Sequence, residues 1–149
     1  MRVIIQRVKQ ASVKVEGKVI GEIGTGILVL VGFLDTDDSK VYDYMLDKII
    51  NLRIFEDEDD KMNLSVRDIE GEIIIVPNFT LYGDCRKGRR PSYSSAAKPD
   101  KARIIFEEFI KKANEKYHGI KQGMFQADMK VELLNDGPVT LLLDSDKVF

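Results

Sequence analysis

The first third of the chain, RVIIQRVKQASVKVEGKVIGEIGTGILVLVGFL, is dense in valine and isoleucine and is broken by glycine at positions 17, 21, 24 and 26. Branched side chains lose rotamer freedom against a helical turn but pack well on a pleated surface, so this pattern predicts sheet. Arg2 to Gln10 and Ser12 to Glu16 read as two strands, and the glycines mark short strands with tight connections. The apolar run GILVLVGFL suits a central strand buried on both faces. Gly24 and Gly26 do not open a dinucleotide-binding loop, because no third glycine follows at the required spacing and a strand comes next instead of a helix.

Helical spacing begins after Asp37, Asp38 and Ser39, any of which can cap a helix. Val41, Met45, Ile49 and Leu52 then share one face, which predicts a helix over Ser39 to Leu52. Strands are expected at Leu64 to Asp68 and Glu72 to Thr80. A second helix is expected from Pro99, tolerated in a first turn, to Tyr117, with an apolar stripe through Ala102, Ile105, Phe106, Phe109, Ile110 and Ala113. FQADMKVELL and VTLLLDS complete the strands. Two helices set among hairpin-like strands predict an α+β fold with a mostly antiparallel or mixed sheet. The 149 residues are 44% hydrophobic and hold no repeat or linker, so one compact domain spanning residues 1–149 is expected.

No run reaches the roughly 18 apolar residues that a membrane span needs, and a cytoplasmic protein is expected. One cysteine, Cys85, and one histidine, His118, cannot build an all-Cys/His zinc site, so no metal and no cofactor is implied. A carboxylate-ligated ion stays open at this stage. The acidic run Glu56 to Asp60 lacks the glycine and spaced glutamate of a calcium loop and reads as a solvated turn. His118, just before Gly119, suits the end of a helix, and no serine or cysteine is set to receive it as a base. Cys85 has no visible catalytic partner. If the protein is an enzyme, its chemistry leans on backbone groups or on its substrate.

Net charge is only −2, yet Arg86, Lys87, Arg89 and Arg90 lie within five residues. That cluster reads either as a solvated loop or as a phosphate contact with salt-sensitive binding. A second local feature is the break Asn135-Asp136-Gly137-Pro138 between two apolar runs. It reads either as a turn or as backbone presented to a ligand, since proline cannot donate to a ladder.

PNFTLYGDCRKGRRPSYSSAA (residues 77–97) and NDGPVT (residues 135–140) together resemble the D-aminoacyl-tRNA deacylases, whose hallmarks are Ser-Gln-Phe-Thr-Leu and Asn-x-Gly-Pro-Val-Thr. RVKQASVKVEGKVIGEIGTGILVLVG and NLRIFEDEDDKMNLSVRDIEGEIIIV also look like family segments, so the resemblance covers essentially the whole chain. Phe79, Thr80 and Leu81 match the first motif, while Pro77 and Asn78 replace its serine and glutamine. Proline has neither hydroxyl nor N–H, so no role of the family serine side chain transfers. Asn135, Gly137, Pro138, Val139 and Thr140 complete the second motif.

The resemblance implies a barrel-like sheet in a homodimer that hydrolyses the ester between a D-amino acid and tRNA. The family's Gly-Pro peptide is cis and enters the partner subunit's pocket, where its carbonyls fix the substrate amino group and its shape excludes the L enantiomer. Gly137 and Pro138, with Asn78, Val139 and Thr140, are therefore expected to select chirality, and Phe79 and Thr80 to be catalytic through main-chain N–H groups. The ribose hydroxyl of the tRNA is expected to assist the attacking water; the competing mechanism makes Thr80 a nucleophile. Phe79 is expected to be core as well as site, and glycine mischarged on tRNA is a further substrate. Arg86, Lys87, Arg89 and Arg90 would bind the acceptor end. The expected partners are aminoacylated tRNA and a second copy of the chain, with no DNA and no membrane. Two rivals remain: a non-catalytic RNA-binding module using exposed aromatics such as Tyr82 and Tyr93, and a deacylase of altered chirality.

Overall fold

In the computed structural model, which describes residues 1–148, the elements are β1 (Arg2–Val15), β2 (Lys18–Ile23), β3 (Gly26–Gly32), α1 (Ser39–Asn51), β4 (Phe55–Glu56), β5 (Met62–Leu64), β6 (Glu72–Pro77), a 3-10 turn (Phe79–Tyr82), α2 (Pro99–Lys116), β7 (Ile120–Gln122) and β8 (Met129–Asp144). The main sheet has the order β2-β1-β3-β6-β7, and β8 lies along the other edge of β1. β1 pairs antiparallel with β2, β3 and β8, whereas β3–β6 and β6–β7 are parallel. The sheet is therefore mixed. It is also nearly closed: a Cβ on Gly21 of β2 would stand 3.3 Å from the Gln122 carbonyl oxygen of β7.

β1 is one strand where the sequence reading has two. Ala11, at the expected break, is buried and pairs with Ile23 on one side and Leu133 on the other, so the ladder carries the strand through. It ends in a two-residue turn in which Glu16 and Gly17 both have positive φ, matching the twist of the flanking strands.

Alternation divides the core into two clusters. Ile27, Val29 and Val31 of β3 join Ile73 and Ile75 of β6 beneath the helices, and Leu28, Ile74 and Val76 point into the barrel with Val8, Val13 and Ile23. Burial on both faces is why these strands read as unbroken apolar runs. Gly26 lets β3 and β6 approach, since a Cβ there would overlap the Glu72 carbonyl oxygen.

Asp38 caps α1, accepting from the N–H groups of Lys40 and Val41. α2 has no side-chain cap. That omission costs about 1 kcal/mol, and it is outweighed by Ile105, Phe106 and Phe109, whose burial is worth about 1.5–3 kcal/mol each.

Three further expectations change. The Leu64–Asp68 strand is replaced by β5 and a turn, because the Asp68 carboxylate takes the N–H and hydroxyl of Ser65 and competes with a ladder. The strand expected to reach Thr80 ends at Pro77, where the 3-10 turn takes over. FQADMKVELL and VTLLLDS are not separate strands: β8 runs continuously from Met129, after a turn. Among the described residues no helix is long and apolar enough to cross a membrane.

Candidate functional site

The site begins where β6 ends. Main-chain N–H groups alternate sides along a strand, and the Asn78 N–H donates to the Val31 carbonyl of β3 at 2.7 Å. Position 77 therefore faces the β7 side, past the end of β7 at Gln122, where a proline forfeits no ladder bond. Asn78 stays extended (φ −146°, ψ 90°), and its Oδ1 accepts from the Thr80 N–H at 3.2 Å and the Thr80 hydroxyl at 2.5 Å. This capping starts the 3-10 turn, which closes as the Gly83 N–H donates to the Thr80 carbonyl at 2.9 Å.

Phe79 is thrust outward by that turn and is 58% exposed, so it is not the core residue the sequence reading expects. Its ring meets Tyr93 edge to face, with centroids 5.2 Å apart. Glycine at 83 makes room, since a Cβ there would stand 3.0 Å from the Tyr93 ring. Behind the pair lies a cavity of about 980 Å³, walled by Leu30, Val76, Phe125 and Met129 and edged by Asn78 and Thr80. A mostly apolar hollow with a few polar groups, among them Ser94, Lys98 and Gln126 as well as Asn78 and Thr80, suits a ligand held largely by apolar contact and oriented by a few polar ones. Tyr82, in contrast, is 5% exposed beneath the Arg2 guanidinium and cannot serve as a surface aromatic.

The second motif lies on β8 opposite Arg7. Gln6 pairs with Thr140 and Val8 with Asn135, so residues 136–139 bulge out against Arg7 alone. Asn135 pinches the base of the bulge: its Nδ2 donates to Gln6 Oε1 at 2.5 Å, and its Oδ1 accepts from the Val139 N–H at 3.2 Å. Thr140 joins the same knot through Gln6, and Val139 turns into the core. Gly137 and Pro138 remain exposed at the tip, joined by a cis peptide bond. Within one chain they do not line the cavity of Asn78, Phe79 and Thr80.

Arg7 is a residue that sequence reasoning missed. It is 5% exposed, donating from Nη1 to the Ile54 carbonyl at 2.7 Å and from Nε to the Asp136 carbonyl at 3.0 Å. The signal was present: Val3, Ile5 and Arg7 share one face of β1, and an arginine in an inward register needs a reason.

The basic cluster sits on an exposed excursion whose base is fixed by two main-chain bonds between Asp84 and Ser92. Arg86 folds back onto Asp84 in a two-pronged pair at 2.7 and 2.8 Å. The Arg86 guanidinium, helped by its own N–H, holds the Asp84 carboxyl well below the usual carboxylate range. Lys87, Arg89 and Arg90 make no ion pair among the described residues. Cys85 is exposed in the same loop. His118 stacks on Tyr117 just past the end of α2 and before Gly119, whose φ is +79°, and is not among the residues that line the cavity. Asp57 of the acidic run accepts from the N–H groups of Asp59 and Lys61 and holds the turn between β4 and β5.

The family model described as D-Tyr-tRNA(Tyr) deacylase matches residues 4–144. The D-aminoacyl-tRNA deacylase of Clostridioides difficile (strain 630) is 58% identical over 149 residues, the whole of both chains. A solved structure described as "c-Myc DNA Unwinding Element Binding Protein" is 41% identical, with a TM-score of 0.92 over 97% of this chain and 98% of that one. Another, of a probable eukaryotic D-amino acid tRNA deacylase, shares the fold at 18% identity, with a TM-score of 0.81 over 95% of this chain and 97% of that one. Fold and sequence together define a hydrolase that acts on an ester bond. The chain belongs to the D-Tyr-tRNA(Tyr) deacylase family.

Proposed function

We propose that this chain hydrolyses the ester joining a D-amino acid to the terminal ribose of tRNA, through the Phe79 main-chain donor at the 3-10 turn, the Thr80 N–H being taken by Asn78, and with chirality read by a partner subunit's Gly137–Pro138 tip. The observation that carries this reading is the apolar cavity at the end of β6, with Phe79 at its mouth and the Phe79 N–H unspent beside it. The Phe79 N–H makes no hydrogen bond among the described residues, so it is available to the carbonyl oxygen as negative charge develops there. One such donor is typically worth about 2.7–4 kcal/mol of barrier. The ribose hydroxyl next to the ester orients the water. Thr80 is a poor nucleophile, because its hydroxyl hydrogen is held by the Asn78 amide oxygen and no base is hydrogen-bonded to it among the described residues.

Two observations favour a homodimer. The exposed tip does not reach its own cavity, and the outer face of β8 exposes Leu134 and Leu142, each 55% accessible. In a two-fold pair each tip enters the other copy's cavity, where its carbonyls accept from the substrate amino group. An L side chain is driven into that wall, and a D side chain points away from it. Glycine has no side chain to clash and is cleaved as well. Lys87, Arg89 and Arg90 meet acceptor-end phosphates without reading bases, so many tRNAs qualify.

The test is release of labelled amino acid from matched D- and L-tyrosyl-tRNA, with and without chelator, alongside sedimentation of the protein. D-selective release by a dimer, insensitive to chelator, is expected. A dimer that binds tRNA and cleaves neither ester would overturn the catalytic reading, and cleavage of the L ester alone would overturn the chiral one.

A further inference from the structure

We propose that Arg2 is a positioning residue of the site, its guanidinium clamping the Phe79–Tyr82 turn through the Leu81 carbonyl and the face of the Tyr82 ring. This rests on the reaction proposed above, in which that turn carries the Phe79 N–H to the ester.

Arg2 stands in β1 between Gly32 of β3 and Asp144 of β8. Gly32 leaves the sheet bare where the turn lies against it: a Cβ there would come within 3.0 Å of the Asn78 carbonyl oxygen, 3.2 Å of Leu81 Cβ and 3.3 Å of Tyr82 Cδ2. Residues directly opposite on neighbouring strands share a face, so Arg2 reaches across the bare glycine to the turn. Its Nη1 donates to the Leu81 carbonyl at 3.2 Å, and its Cζ lies 4.7 Å from the centre of the Tyr82 ring. On the other flank its Nε donates at 2.8 Å to Asp144 Oδ2, on a side chain only 3% exposed. A planar guanidinium can lie on a ring while its edge serves a carbonyl and a carboxylate, which an ammonium cannot do.

The turn has few other anchors. Among the described residues, its one main-chain bond to the sheet runs from the Asn78 N–H to Val31, and the bonds of Leu81 to Asn78 and of Gly83 to Thr80 are internal to it. The Ser95 hydroxyl adds a bond of 3.3 Å to the Tyr82 carbonyl. The Tyr82 hydroxyl is buried without a hydrogen-bond partner, so the ring is held by packing and by the cation on its face, not by its polar end. Arg2 is not among the residues that line the cavity, so it acts through the turn. A turn that slips by about 1 Å carries the Phe79 N–H away from the developing charge, and a misplacement of that size can cost about 10²-fold in rate.

Arg2→Met removes the clamp, Arg2→Lys keeps the charge without the fork, and Tyr82→Leu removes the ring. Measured well below its Tm, Arg2→Met should lower kcat for D-tyrosyl-tRNA by about 10–10²-fold with KM unchanged, and Arg2→Lys should recover only part of that loss. Tyr82→Leu should lose far more rate than Tyr82→Phe, which keeps the ring face. Arg2→Met and Tyr82→Leu combined should lose less than the product of their separate losses, because they break one contact. Should Arg2→Met fail to fold, Asp144→Asn loosens the guanidinium without removing it and is read in the same way, with a smaller loss. A folded Arg2→Met that cleaves at the wild-type kcat would confine Arg2 to stability and overturn the inference, as would a change in KM alone. A wild-type enzyme inert toward the D ester would instead remove the proposed function and this role with it.

Discussion

The Arg7 guanidinium donates from Nε to the Asp136 carbonyl oxygen at 3.0 Å, tying the buried side of β1 to the residue that leads into the Gly137–Pro138 tip. Its Nη1 reaches the Ile54 carbonyl, while Glu56 and Asp136 carboxylates lie 3.7 Å away. A single side chain thus fixes the tip relative to the segment after α1. Arginine suits this because its rigid fork serves two carbonyls at once, whereas an ammonium is a point donor.

Arg7→Lys should retain the charge and lose at least one of the two carbonyl contacts. Leaving a buried carbonyl unpaired costs about 1–3 kcal/mol, readable as a lower midpoint in urea. Discrimination between D- and L-tyrosyl-tRNA should weaken at the same time. Unchanged discrimination in a destabilised protein would confine Arg7 to stability.

Gly137 has φ of +127°, and a Cβ there would meet Val139 Cγ2 at 2.9 Å and Arg7 Nη2 at 3.0 Å. Gly137→Ala should therefore cost about 1–3 kcal/mol and displace the tip. Cleavage of D-tyrosyl-tRNA should drop while far-ultraviolet circular dichroism stays native, because the bulge lies outside the ladder. Full activity would show that the tip is not part of the site.

The basic excursion makes a prediction about salt. Asp84 already engages Arg86, so the three other cations carry most of the attraction. Replacing Lys87, Arg89 and Arg90 with alanine should raise the KM for tRNA and reduce the slope of log affinity against log salt by about 2–3. The rate at saturating tRNA should hold. An unchanged slope would make the loop a solvated surface.

Alkaline stability should follow the buried phenols. Burial, then the nearby Glu108 and Asp37, pushes the Tyr42 hydroxyl from 10.0 up to about 12, and burial also raises Tyr82 and Tyr117. A raised acid pKa means that the fold favours the neutral phenol. Its contribution is complete below pH 10 and is lost as pH rises from 10 to 12. Denaturation midpoints should be flat up to pH 10 and fall beyond it, with Tyr42→Phe falling less steeply.

Much of the architecture was legible because it rests on local period. The buried strands of β3 and β6, the two helices and the α+β class follow from runs and stripes that tolerate few alternatives. Errors fell where a side chain competes with the ladder, as Asp68 does with Ser65 and Asn78 with Thr80. β7, three residues long with two exposed, carries no period to detect.

Motif order alone determined the family and pointed to Asn78, Phe79, Thr80, Gly137 and Pro138, since two such runs seldom fall by chance in that order along one chain of this length. Only the tertiary structure decided where each of them sits. The seat of Phe79 on Tyr93, the knot of Gln6, Asn135 and Thr140, and the buried Arg7 all join residues from different segments of the chain. Such contacts depend on which strands meet and in what register, and no local pattern encodes that.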